Sequence, residues 1–288
     1  MVFSVVALIV STVALAQAGR SLEFNTELAL VGGAIGAFGV PHGALDPVFA
    51  RRLHGLKSVW SWSVFVLLYG AIAGLVVECW MIAPRVWLSG FLFLSALHFS
   101  GDLRPRTPIA VRILYGGAII VLPSLVAAHR PDLVRAFSSL VGLDWATSTV
   151  SALRSMAWPW VVGLGIAALR QGRRTWEAGL EIASLGLLSV SAPPLIAFAV
   201  YFCFMHGARH VLRTVEYSGE SLSRVWIRYG LLPLSMVAFL AFAAWRLMAN
   251  VPVDSRLMQI LFVGLAALTV PHMMLVERVR LGEIDSIG

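Results

Sequence analysis

The run Pro193-Pro194-Leu195-Ile196-Ala197-Phe198-Ala199-Val200-Tyr201-Phe202-Cys203-Phe204-Met205-His206-Gly207-Ala208-Arg209-His210-Val211-Leu212-Arg213 decides how this chain folds. Two prolines open it, and no Asp, Glu, Lys or Arg follows until Arg209. As an α-helix its 21 residues rise about 32 Å, enough to cross the roughly 30 Å hydrocarbon core of a bilayer. Working outward, similar apolar runs lie between charged or proline-containing breaks. They predict ten helices over 2–17, 28–49, 58–79, 86–103, 111–128, 147–169, 178–192, 193–213, 229–248 and 257–277. The first is short, and Pro193-Pro194 cuts the seventh off from the eighth. The expected architecture is an all-α integral membrane protein, a polytopic bundle of about 8–10 transmembrane helices forming one domain over residues 1–288.

Composition agrees. Of 288 residues, 59% are hydrophobic and 13% charged, with a mean hydropathy of +0.84. A soluble domain carries about 25% charged residues. This chain lacks the polar groups to cover a water-facing globule, which excludes a soluble enzyme, a nucleic-acid binder and a disordered protein. Cys79 and Cys203 form no CxxC pair, and neither disulfide nor redox chemistry is expected of them. Ala14-Leu15-Ala16 resembles a signal cleavage site, but no Lys or Arg precedes the apolar stretch, so residues 2–17 are read as a first membrane helix. Residues 131–145 are amphipathic and are expected to lie in the interface rather than to span.

The net charge of +7 is a signal of topology. Lys and Arg gather in alternate loops: Arg51, Arg52 and Lys57; Arg104, Arg106 and Arg112; Arg170, Arg173 and Arg174; Arg213, Arg224 and Arg228; Arg278 and Arg280. The intervening loops hold half as many, namely Arg20, Arg85, Arg130, Arg135, Arg154, Arg246 and Arg256. The positive-inside rule places the richer set in the cytoplasm, and with ten helices both termini are then cytoplasmic. The expected location is the inner (plasma) membrane, crossed many times.

Five of the seven histidines fall near the ends of helices that run from outside to inside. They are His42, His98, His206, His210 and His272, whereas His54 and His129 are read as solvated loop residues. Counting at about 1.5 Å per residue to the next cytoplasmic arginine puts His42, His98, His206 and His272 about 9–13 Å below that boundary, one imidazole from each of four helices in one layer. Ionisable groups at membrane depth are costly and normally face a bundle interior with a partner. Matched depth on four helices points to a shared metal or cofactor site nearer the cytoplasmic side. His206 and His210 lie one helical turn apart and, with His42 and His98, offer four neutral nitrogen ligands. Such a set suits iron, copper or zinc. Asp46 and Asp102 each follow a histidine by four residues, as carboxylates that orient an imidazole, as alternative ligands or as helix-end groups turned to water. His272 is a fifth candidate, as ligand, orienting residue or substrate contact. Arg209 is read either as a partner of Asp102 or Asp46 or as a snorkelling cation.

At Pro41-His42-Gly43 with Asp46, His98-Phe99 with Asp102, His206 with Arg209-His210, and Pro271-His272, the sequence resembles the bacteriorhodopsin-related-protein (Brp/Blh) family of microbial β-carotene 15,15′-dioxygenases. The likeness runs from about residue 28 to 280, with Gly207 where the family often has serine. The resemblance implies a non-haem Fe(2+) enzyme with iron on His42, His98, His206 and His210. It would cleave β-carotene with O2 at the central double bond into two retinal molecules, with retinal passed on to a rhodopsin. Phe91, Phe93 and Phe99, and Phe198, Tyr201, Phe202 and Phe204, flank the proposed ligands and are candidates to line a tunnel for the polyene, Phe91, Phe99, Tyr201 and Phe202 foremost. No catalytic acid or base is assigned. No dinucleotide fingerprint is found, so no nicotinamide cofactor is expected. Two other readings stand beside this one: a haem or quinone electron-transfer protein, for which one layer of histidines fits less well than stacked pairs, and a carotenoid or retinal carrier, which would not need clustered imidazoles. A di-iron hydroxylase needs more histidine boxes, and a zinc protease needs the HExxH that is missing here.

Overall fold

The computed structural model describes residues 1–17, 22–104 and 106–285. Each of the ten predicted stretches is helical, and there is no strand among the described residues. Among the described residues, six helices are long and apolar enough to cross a membrane: Phe24–His54, Val59–Ile82, Leu143–Gly172, Pro194–Ser218, Leu222–Leu247 and Val253–Val279. A seventh joins them if Ile109–Leu125 and Ala127–Val141, bent by 90° at their junction, count as one span. That bend turns the amphipathic stretch away from the preceding helix, as its polar face requires. Val2–Ala16, Pro84–Phe99 and Trp176–Ser191 were expected to span but have 15, 16 and 16 residues. At about 1.5 Å per residue they are roughly 22–24 Å long, short of the hydrocarbon core.

Packing divides the chain into two compact units. The first comprises Met1–Ile35 and Arg85–His206. Its centre is Leu143–Gly172, against which Ile109–Val121, Arg130–Val141 and Trp176–Ser191 pack, with Val2–Ala16 on the far side of Trp176–Ser191. Trp160 donates its indole N–H to the Leu114 carbonyl (2.8 Å) and lies over Gly117, where a side chain would collide with the ring.

The second unit comprises Gly36–Pro84 and the described residues from Gly207 on. Val59–Ile82 packs along Val253–Asp285. Asp46–His54 is fixed between two apolar clusters, Leu45, Val48, Val225 and Tyr229 on one side and Phe49, Ala50, Leu56 and Leu275 on the other. This helix ends at Gly55, whose φ of 60° is the left-handed conformation glycine adopts without penalty. Ser58 and Ser61 then form a reciprocal capping box that starts the next helix.

Candidate active site

In each unit part of a group of buried polar residues, His98, Asp102 and His206 in one and His42 and Asp46 in the other, sits where α-helix gives way to another helical form. In the first unit, Pro84–Phe99 ends with His98 and tightens into a 3₁₀ turn over Ser100–Asp102. The Ser100 hydroxyl donates to the Leu97 carbonyl (2.6 Å), and Arg112 Nε donates to the Ser100 carbonyl (3.1 Å), which holds the turn. Gly116 lets the neighbouring helix touch it: a Cβ there would lie 2.2 Å from the Ala96 oxygen and 2.4 Å from the Ser100 nitrogen. On the other side, the helix widens into π geometry over Phe202–Gly207, which carries His206. Such single-turn widenings recur at functional sites.

The result is a buried constellation. Asp102 accepts from His206 Nδ1, 3.1 Å from each carboxylate oxygen, and its Oδ2 also accepts from the Tyr201 hydroxyl at 2.6 Å. The His98 and His206 rings meet edge to face, centroids 4.7 Å apart. Phe202 stacks on His206 at 5.6 Å, and Phe99 meets it edge-on at 4.9 Å. His98, His206, Asp102, Phe91, Phe99, Tyr201 and Phe202 are all buried.

In the second unit, Pro41 lies in a 3₁₀ stretch, Val40–Leu45, that follows a π turn over Ile35–Gly39. The regular hydrogen-bond ladder is interrupted there, and the Gly39 carbonyl accepts from His42 Nδ1 (2.5 Å). The Thr214 hydroxyl gives its hydrogen to the His210 carbonyl (2.8 Å) and faces His210 Nδ1 at 3.3 Å. His272 Nδ1 donates to Asp46 Oδ1 (2.6 Å), and the Tyr69 hydroxyl donates to Asp46 Oδ2 (2.8 Å). The centroids of His42, His210 and His272 are 5.4, 5.2 and 4.8 Å apart.

The structure reassigns both aspartates. The spacing of four suggests that each serves the histidine before it, as on one face of an α-helix. Each stretch runs through a 3₁₀ turn, Val40–Leu45 before Asp46 and Ser100–Asp102 after His98, and the tighter winding carries the aspartate off the face of the histidine four residues before it. Asp46 therefore meets His272, and Asp102 meets His206. Tyr201, read as a tunnel residue, commits its hydroxyl to Asp102. Phe93 and Phe204 are exposed, at 64% and 41%, and face outward. His54 is exposed as expected, but His129, in the 3₁₀ turn Ala127–His129 just after the bend, is buried. Arg209 is half-buried. Sequence reading missed Tyr69 and Thr214. Thr214 had a signal, standing one turn after His210, whereas nothing near Tyr69 marks it.

Among the described residues, no three His, Cys, Asp or Glu side chains form a ready-made metal cage. The chemistry of the donors nonetheless suits a metal. At His42, His206 and His272, Nδ1 faces a carbonyl or carboxylate, which can only accept. At His210 it faces a hydroxyl whose hydrogen is already given. Nδ1 therefore carries an N–H in all four, and in a neutral ring that leaves Nε2 as the nitrogen able to bind a cation.

The family model of β-carotene 15,15′-dioxygenases matches residues 34–279, a segment that contains all seven histidines. The chain is similar to the β-carotene 15,15′-dioxygenase of uncultured marine bacterium 66A03, with 27% identity over 251 residues, 83% of this chain and 89% of the relative. It is also similar to the probable β-carotene 15,15′-dioxygenase Blh of Halobacterium salinarum, with 29% identity over 209 residues, 64% of this chain and 60% of the relative. No solved structure matches the chain.

Proposed function

The chain belongs to the β-carotene 15,15′-dioxygenase family and is a carotenoid-cleaving oxygenase, and on that premise we propose that it splits β-carotene with O2 at the central 15,15′ double bond into two retinal molecules, at a ferrous ion held by His42, His98, His206 and His210. The observation that carries this reading is the shared Nδ1–H form of His42, His206 and His210, which in a neutral ring makes Nε2 the nitrogen that would bind the metal. A ferrous ion in such a set would supply the means of engaging O2.

The protein's own part is positioning and exclusion of water. Asp102 holds the His206 ring, Thr214 the His210 ring and the Gly39 carbonyl the His42 ring. Phe99 and Phe202 wall His206, and Phe91 is buried on the same helix as His98. β-Carotene is wholly apolar, and an enzyme built of apolar helices long enough to span can receive it from the bilayer. Cleavage balances without a further reductant: the double bond supplies all four electrons, and one oxygen atom ends in each aldehyde. No nicotinamide cofactor and no acid–base residue are called for. In this reading the chain sits in the inner membrane and retinal passes to a rhodopsin; the cytoplasmic placement of both termini and of the centre, which counted ten crossings, holds only if the three short helices also cross.

Expression in a β-carotene-producing bacterium tests the proposal. The expected outcome is loss of orange colour, appearance of retinal, about one iron per purified chain and one labelled oxygen per retinal from ¹⁸O2. Alanine at His42, His98, His206 or His210 abolishes the product. Persistent colour with expressed, iron-loaded protein overturns the activity, and a Soret band in place of non-haem iron turns the reading to haem.

A further inference from the structure

Each unit contains, entirely within itself, a tyrosine, an aspartate and a histidine joined in the same order. In the first, Tyr201 donates to Asp102 Oδ2 and His206 Nδ1 lies 3.1 Å from both carboxylate oxygens. In the second, Tyr69 donates to Asp46 Oδ2 and His272 Nδ1 meets Oδ1. Asp46, Asp102, Tyr201, His206 and His272 are buried, and Asp46 and Asp102 each follow a helical histidine by four residues. A buried carboxylate costs free energy unless its oxygens are hydrogen-bonded. A tyrosine hydroxyl on one oxygen turns the carboxylate so that another edge faces the imidazole.

We infer that Tyr69 and Tyr201 are matched positioning residues, which hold Asp46 and Asp102 so that His272 and His206 are locked in the Nδ1–H form with Nε2 as the donor nitrogen. The inference rests on the proposed function for its purpose, since it gives His272 the same preparation for a metal that His206 has. Within its own unit the relay sets His272 beside His42 and His210, ring centroids 5.2 and 4.8 Å away. His272 is then a member of the ligand group, introduced by a helix that the set of four does not use.

The test has a readout that needs neither metal nor turnover. Full-length, metal-free protein labelled with ¹⁵N-histidine in lipid bilayers is compared with Tyr69→Phe and Tyr201→Phe, with His272→Ala and His206→Ala assigning the resonances. The wild type is expected to show both imidazoles as a single Nδ1–H tautomer. Tyr69→Phe shifts the His272 resonances towards a mixture and leaves His206 alone, and Tyr201→Phe does the converse. Unchanged tautomers in both variants overturn the inference. Cobalt(II) loading supplies the second arm. His272→Ala and Tyr69→Phe are expected to shift the visible absorption of the cobalt form, and Asp46→Asn to weaken cobalt binding about 10–100-fold. A cobalt spectrum indifferent to His272→Ala removes His272 from the ligand group. If wild-type protein takes up no metal, the iron reading fails, while the relay still stands or falls on the nitrogen spectra.

Discussion

Thr214 stands one turn after His210, is completely buried, and has its single hydroxyl hydrogen committed to a backbone carbonyl. The oxygen that remains can only accept, so a small side chain decides which nitrogen of His210 bears hydrogen. Thr214→Val keeps the shape and removes the acceptor. It is expected to destabilise the protein by about 1–3 kcal/mol, the cost of leaving a buried donor unmade, and to lower its iron content. Thermal unfolding in detergent and metal analysis check both, and an unchanged unfolding midpoint with full iron would show the hydroxyl to be idle. At this scale the histidines were legible, because an imidazole in an apolar run is conspicuous. Their hydrogen-bond partners were not. The pairs His206 with Asp102 and His272 with Asp46 join residues 104 and 226 positions apart, and no local spacing encodes such contacts.

Helices were the most legible elements, since runs of apolar residues between charges and prolines mark them without reference to any neighbour. Their interruptions were less so. Pro41 announces a break in the hydrogen-bond ladder, but the π turn over Phe202–Gly207 contains no proline and looks in sequence like the helix around it. Close approach is also hidden, because a glycine in a membrane helix can be ordinary or indispensable. Gly116→Ala is expected to push its helix off Ala96 and Ser100, to lower stability by about 1–3 kcal/mol as overpacking does, and to impair the activity that depends on His98 and Asp102. Gly74 has nothing within 4 Å of its missing side chain. Gly74→Ala should leave activity intact and be neutral or stabilising by up to about 1 kcal/mol, through the higher helix propensity of alanine. Equal unfolding midpoints for the two variants would refute the packing argument.

For the whole molecule, the outer surface carries large apolar side chains that a water-facing protein would hide. No residue of Leu231–Leu247 is buried, and Leu232, Phe239 and Phe242 are more than 60% exposed. Lipid is the solvent that suits such a helix. Met236→Arg, near the middle of the span Leu222–Leu247, is expected to cost roughly 2.5–3.5 kcal/mol of insertion free energy. A glycosylation-mapping assay of that segment would read this as reduced insertion, and full insertion would argue against a lipid-facing position. The sequence by itself determined that the chain is helical, that it belongs in a membrane and that five histidines stand apart from the rest, because apolar length and the cost of burying a polar group are properties of each segment alone. Only the tertiary structure decided which helices are long enough to cross, which acceptor His42, His206, His210 and His272 each face and that a tyrosine hydroxyl bonds each aspartate. Those outcomes depend on where a helix tightens or widens, and a change of one residue per turn swings every later side chain to a new face.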